Sequence, residues 1–327
     1  TRNNIDELVL ELLNNAEDDV HQMLCDQNAD PEHYRGLDIN RDTVKEVRTI
    51  VQLFPNTLSK RKEIIWLDWQ EVDDEDDEGE GWHDAEGDGE YPIQCCFMLY
   101  GPDDTSCCNL KAASFIATLA QLGMELNQFR DEERGGLLSL NGLGHLKMLQ
   151  RLVGKWEDDG DGEDQDTVYQ EQLVQLKQMN ILKKEDIRGH DLVHTLCRCQ
   201  DNIERRFRFL IEWDPTVLTQ TDRWKCLPLH WVAYKSIQNF RSVFETGIIY
   251  YPHKKGMSLL FNKNNNNITP LKIACTYHAR KEVMDVVEDI ITRYYSEERP
   301  LNIVDALLTA AIDNNVHIDG VNFLLRR

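Results

Sequence analysis

The sequence lacks any long apolar run. Its longest uncharged stretch, residues 112–124, has thirteen residues and polar interruptions, whereas a membrane-spanning helix needs ~20 apolar residues. Membrane insertion is therefore not expected. Basic residues are scarce: 36 Lys and Arg face 58 Asp and Glu, for a net charge of −22. Phosphate contacts need clustered Lys and Arg, so a broad nucleic-acid footprint is excluded. A secretory leader pattern is missing at Thr1, and the first residue is not Met, which suggests that the native start lies upstream. The nine cysteines are odd in number, and several lie in apolar runs. That favours reduced thiols in a cytoplasmic or nuclear compartment over a disulfide framework. The neighbouring pairs Cys95-Cys96 and Cys107-Cys108 do not match the C-x₂₋₄-C knuckles of structural zinc, so no metal is expected. What is present is a hydrophobic share of 41%, enough for a packed core.

The acidity is concentrated. Residues 71–90 hold twelve carboxylates and residues 157–166 hold seven, neither run containing Lys or Arg. Removing these nineteen from −22 leaves about −3 for the rest of the chain. Unopposed carboxylates repel one another and bury little apolar surface, so both runs read as solvated loops that attract basic partners. Neither run is a calcium loop. Counted from Asp84, position 12 is Cys95; counted from Glu157, it is Val168, where an EF-hand needs a bidentate Glu. The Asn267-Ile268-Thr269 glycosylation pattern carries no weight without an exported context.

Self-similarity is the most informative feature. Glu90-Tyr91-Pro92-Ile93-Gln94, His190-Asp191-Leu192-Val193-His194, Cys226-Leu227-Pro228-Leu229-His230 and Ile268-Thr269-Pro270-Leu271-Lys272 share one frame. Each is followed by small or apolar residues and then an amphipathic segment, at 112–126, 204–213, 239–249 and 281–295. Two fainter copies lie at 149–152 and 307–311. The residues in the last slot are Gln94, Gln150, His194, His230, Lys272 and Leu308, separated by 56, 44, 36, 42 and 36 positions. Within a copy, Thr or Asp in the slot before the helix can cap it, and Pro fits the first turn, where its missing N–H costs nothing. Before the helix, Asp186-Ile187-Arg188-Gly189-His190 reads as a turn with Gly supplying positive φ, and Asp222-Arg223-Trp224-Lys225-Cys226 as a copy with Lys in the Gly slot. A second recurring phrase is Phe54-Pro55-Asn56-Thr57-Leu58 and Trp213-Asp214-Pro215-Thr216-Val217-Leu218.

These strings resemble the ankyrin repeat, whose helix starts on T-P-L-H-x-A after a D-x-x-G turn. With the Tyr34-Arg35-Gly36-Leu37-Asp38 segment, the chain is similar to the expanded ankyrin-repeat proteins of diatoms and related algae. Leu227 in the capping slot, Lys272 and the two Gln residues in the His slot, and Leu192 in the Pro slot depart from that pattern. HEAT-like or TPR-like solenoids are the alternative, but they lack the turn before a Pro-started helix. The resemblance implies an all-α, ankyrin-type solenoid of stacked helix pairs, with long acidic loop insertions and no substantial sheet. Residues 1–68 are then an N-terminal helical cap region, with helices over 5–27 and 42–54. Residues 69–90 form an acidic insertion, and residues 91–327 hold about six degenerate repeats interrupted at 157–166. The apolar end at 321–327 would not face water, which suggests a chain that continues or a partner that covers this end.

No catalytic constellation emerges. Neither G-x-S-x-G nor H-E-x-x-H occurs, and His194 and His230 read as buried caps. The expectation is a non-catalytic scaffold or adaptor with no cofactor and no small-molecule substrate. The alternatives are a structural subunit of a larger assembly, or an enzyme or regulator with an unrecognised site. The family's concave face is formed by turn tips and exposed inner-helix positions. Carried over slot by slot, it selects Ile187, Arg188, His190, Arg198 and Cys199 from one copy. The next supplies Arg223, Trp224, Cys226, Tyr234 and Lys235, and the third Asn265, Asn266, Ile268, Thr276 and Tyr277. Trp224 is the leading anchor, because Trp, Tyr and Arg dominate interface energetics.

Overall fold

The computed structural model describes residues 2–62, 89–100, 106–140, 147–154, 162–198, 203–252 and 254–294 of the chain. It is mostly helical. The faint copy at 307–311, the apolar end at 321–327, Cys199 and most of the first acidic run lie outside the described residues. The chain divides into two compact units: residues 1–152, 157–160 and 171–182 form one, and residues 153–156, 161–170 and 183–327 the other.

In the first unit, α1 (Arg2–Leu24) precedes α2 (Val44–Leu53). Thr43 starts α2 with a reciprocal capping box: its hydroxyl accepts from Glu46 N at 3.2 Å, and the Glu46 carboxylate accepts from Thr43 N at 2.9 Å. The apolar spacing of α2 buries Val47 and Val51. A short α3 (Pro92–Cys95) leads into β1 (Met98–Tyr100), which pairs antiparallel with β2 (Ser106–Cys108), Met98 opposite Cys108. Then come α4 (Leu110–Ala113), α5 (Ile116–Glu125) and α6 (Met148–Val153). The expected single segment at 112–126 is thus broken at Ser114–Phe115. Phe115, Ile116, Leu119 and Leu122 are fully buried.

Helix α7 (Gly162–Gln178) contributes residues to both units. It corrects the expectation of an acidic loop over 157–166, because the run enters a helix at Gly162. Carboxylates are favoured in a first helical turn, where unpaired N–H groups point outward. Two residues of the acidic runs are also not solvated. Glu90 is buried and bonded to Arg151 at 2.9 Å and to Gln27 at 3.1 Å. Asp166 is buried against Arg206 at 2.6 Å, and the Arg206 guanidinium also donates to Val153 O at 2.9 Å. A buried guanidinium needs such company, since an unpaired buried charge is costly.

The second unit continues with α8 (Lys184–Gly189), α9 (Leu192–Arg198), α10 (Glu204–Trp213), α11 (Pro228–Lys235), α12 (Ile237–Tyr250), α13 (Lys254–Ser258), α14 (Pro270–Tyr277) and α15 (Arg280–Tyr294). Helix α11 packs against α9, α12 and α14, and α15 against α12 and α14. Leu196, Leu210, Val232, Phe240, Phe244, Ala274, Val283 and Ile290 fill the interior. The recurring Pro phrase folds alike in each unit, as a 3₁₀ turn at Pro55–Leu58 and at Pro215–Thr219.

Candidate functional site

The sequence frame translates into a repeated hydrogen-bond device. His230 Nδ1 accepts from Leu227 N at 2.9 Å, and its Nε2 donates to Ile268 O at 3.2 Å. The imidazole therefore closes the helix that Leu227 cannot cap and ties it to the next turn. Burial pushes His230 down to about 4, which keeps the ring neutral, and the two hydrogen bonds fix its tautomer. His194 Nε2 reaches Cys226 O at 3.1 Å and Gln220 O at 3.2 Å, and burial lowers its pKa as well. Gln94 does the same work with an amide: Oε1 accepts from Tyr91 N at 2.8 Å and Nε2 donates to Leu140 O at 2.7 Å. Gln150 Oε1 accepts from Lys147 N at 3.0 Å. At Lys272 the slot carries no such cap, and Thr269 Oγ1 accepts from Lys272 N instead.

The turns reached by these side chains are near-copies. In 222–226, Asp222 Oδ1 accepts from Trp224 N and Cys226 N, both at 2.9 Å, and Asp222 N donates to Cys226 O. In 264–268, Asn264 Oδ1 accepts from Asn266 N and Ile268 N, both at 3.0 Å, and Asn264 N donates to Ile268 O. The left-handed position falls on Lys225 (φ 57°) and Asn267 (φ 56°). The tips are joined by Asn265, whose N donates to Trp224 O at 3.0 Å.

An aromatic and cationic surface is built on these two tips. Trp224 is 37% exposed and meets Trp231 edge-on with centroids 5.7 Å apart. The Arg198 guanidinium lies 4.6 Å from the Trp224 ring and 4.3 Å from the Trp231 ring, while Arg223 lies 4.0 Å from Trp224 on its own turn. Asp222 locks the cluster, accepting from Arg198 at 3.2 Å and from Trp231 Nε1 at 2.9 Å. Tyr234 and Tyr277, on α11 and α14, have ring centroids 4.0 Å apart and are 47% and 52% exposed. Lys235 Nζ lies 5.8 Å from the Tyr234 ring.

The sequence-selected residues separate accordingly. Arg198, Arg223 and Trp224 are linked by ring contacts that include Trp231, and Tyr234, Lys235 and Tyr277 form a second linked group. Asn265 serves the junction between tips, Asn266 is exposed on the second tip, and Thr276 is exposed with its hydroxyl on Lys272 O at 2.8 Å. Ile268 is half-buried, its carbonyl taken by His230. Two expectations are corrected by packing: Ile187 and Cys226 are buried, 1% and 6% exposed, and present no surface. The 186–190 segment is also not a tip of the same kind. Asp186–Gly189 belong to α8, Gly189 has no positive φ, and Asp191 takes φ 48° instead. Arg188 is exposed on that helix, and His190 follows it half-buried. The sequence reading missed Asp222 and Trp231 as the pair that holds Arg198; their signal was the helical spacing of Trp231, Tyr234 and Lys235.

Two other places gather polar groups. In the first unit, His21 Nε2 lies 3.5 Å from Cys25 Sγ and 3.0 Å from Lys60 O. The Cys95 thiol and His21 draw the Cys25 pKa down, while the Cys95 pKa rises, and both sulfurs are sealed inside. In the second unit, a groove of about 330 Å³ runs between α10, α12 and α15, lined by Phe207, Ile211, Glu245 and Tyr294 among others. Two of its carboxylates are engaged, Glu204 with Arg208 and Glu245 with Arg293 and Tyr294. Among the described residues, no group of three or more His, Cys, Asp or Glu side chains could hold a metal ion, and no helix is long and apolar enough to cross a membrane. No protein-family model, curated protein or solved structure matches the chain.

Proposed function

We propose that the chain is a non-catalytic, ankyrin-like stack of helix pairs that docks a partner protein on the aromatic surface of the 222–226 and 264–268 tips. The stacking part of this reading is supported by the side chain that caps its own helix and bonds the next turn, repeated at Gln94 and His230. It is supported again by the matching tips and by α11 packed between α9 and α14.

The observation that carries the docking part is the exposure of Trp224 beside Trp231 and of the Tyr234–Tyr277 pair, with Trp231 and Tyr234 about one helical turn apart on α11. Rings already held in place, Trp224 by two guanidinium groups and Tyr234 by Tyr277, lose little conformational entropy on binding, and Trp, Tyr and Arg are the usual anchors of interfaces. The expected result of combining Trp224→Ala with Tyr234→Ala is at least roughly a tenfold loss of affinity for a partner captured by the native chain, with helicity unchanged by circular dichroism. An unchanged affinity sinks the assignment of this surface.

A further inference from the structure

The charge of this surface is opposite to that of the chain. Arg198 and Arg223 lie against Trp224 at the first tip, Lys225 follows on the same turn, and Lys235 ends α11 beside Tyr234; among the described residues, the carboxylate bonded to this group is Asp222, through Arg198. Asp222 is 8% exposed and already accepts from Arg198, Trp231 Nε1 and two backbone N–H groups. Arg223, Lys225 and Lys235 are exposed and pair with no carboxylate among the described residues. In a chain of net charge −22, such cations would ordinarily find an internal partner.

We infer that the segment docked here is acidic: a peptide stretch of the partner protein in which Asp or Glu alternates with apolar residues. This rests on the docking reading above and gives the partner its chemistry. Carboxylates would meet Arg223, Lys225 and Lys235, and the apolar residues would lie on Trp224 and the Tyr234–Tyr277 pair. The acidic runs suggested a basic partner from sequence, but at physiological salt a charge is screened beyond ~8 Å. Contacts within hydrogen-bond reach therefore outweigh distant charges. A nucleic acid is the other anionic polymer with an affinity for arginine and aromatic rings. It fits less well, because its affinity is built from many phosphate contacts, and three available cations supply few.

The test uses the full chain and fluorescence anisotropy with three short fluorescein-labelled peptides, alternating Leu with Glu, Gln or Lys, and a labelled oligothymidylate. The Glu peptide is expected to bind roughly tenfold or more tighter than the Gln peptide. Its affinity should fall as salt rises, and fall about tenfold in Arg223→Gln with Lys225→Gln, both exposed positions that leave the fold intact. Preference for the Lys peptide, equal binding of all three, or tighter binding of the oligonucleotide overturns the inference. If the charge variant leaves partner capture intact while Trp224→Ala with Tyr234→Ala abolishes it, the docking reading stands and the acidic assignment falls.

Discussion

At the residue scale, the imidazole of His230 does two jobs with one neutral ring, and both depend on its staying unprotonated. Its N–H donates to Ile268 O and its lone pair accepts from Leu227 N. A proton on Nδ1 would remove that acceptor and place a charge in a buried site. Because the folded pKa lies near 4 and the ordinary value is 6.5, the unfolded chain binds the proton first as pH falls. His230 therefore contributes full stability above about pH 6.5 and loses it progressively towards pH 4, a total of about 3 kcal/mol. Gln94 shows that an amide can fill the same geometry without titrating. His230→Gln is thus expected to stay within about 1 kcal/mol of wild type at pH 7.5 and to flatten this part of the acid limb, measured as urea unfolding free energy at pH 7.5, 5.5 and 4.5. A variant as pH-sensitive as wild type would show that the dependence arises elsewhere. The histidine slot was legible from sequence. The glutamine equivalence was not, since only the two hydrogen bonds reveal that Gln94 does the same work as His230.

At the element scale, the two matched turns carry the clearest strain. Lys225 adopts φ 57°, a left-handed conformation in which its Cβ crowds the backbone. Glycine has no such clash, although it gives up more freedom on folding. The balance favours Lys225→Gly by about 1 kcal/mol, seen as a raised urea midpoint at constant slope. Asn267→Gly should gain less, because Asn tolerates this region locally. A destabilised Lys225→Gly would mean that the side chain contributes packing that outweighs the strain. The sequence placed Lys225 in the glycine slot correctly and misplaced its counterpart, Gly189. The D-x-x-G string at 186–189 lies inside α8, where Asp186 accepts from Lys183 N at 2.7 Å and caps the helix start, and the helix prevails over the turn. Helix spans with strong apolar periodicity were legible almost to the residue, as at Glu204–Trp213. The hairpin of β1 and β2 was not, because its strands of three residues are too short to show alternation.

At the scale of the whole molecule, the question is where the second unit begins. By sequence, the carboxylates at 157–166 read as an inserted, solvated acidic loop. In the structure, Asp166 belongs to the second unit and neutralises Arg206, the largest fully buried side chain there. The same carboxylate accepts from Arg205 N at 2.9 Å, holding the first turn of α10. A fragment of the second unit that keeps this pair must therefore start before α7. Residues 153–327 keep the Asp166–Arg206 pair and are expected to show the more cooperative thermal transition of the two fragments. Residues 183–327 would strand a guanidinium in an apolar interior, a loss of about 3–5 kcal/mol for a broken buried pair, and should melt broadly or not fold. Arg206→Met in the shorter fragment removes the stranded charge while keeping the volume, and is expected to restore part of the transition. If both fragments melt alike, the buried pair is dispensable and the boundary belongs at 183; if Arg206→Met rescues only the shorter one, the charge at this position sets the limit of the unit.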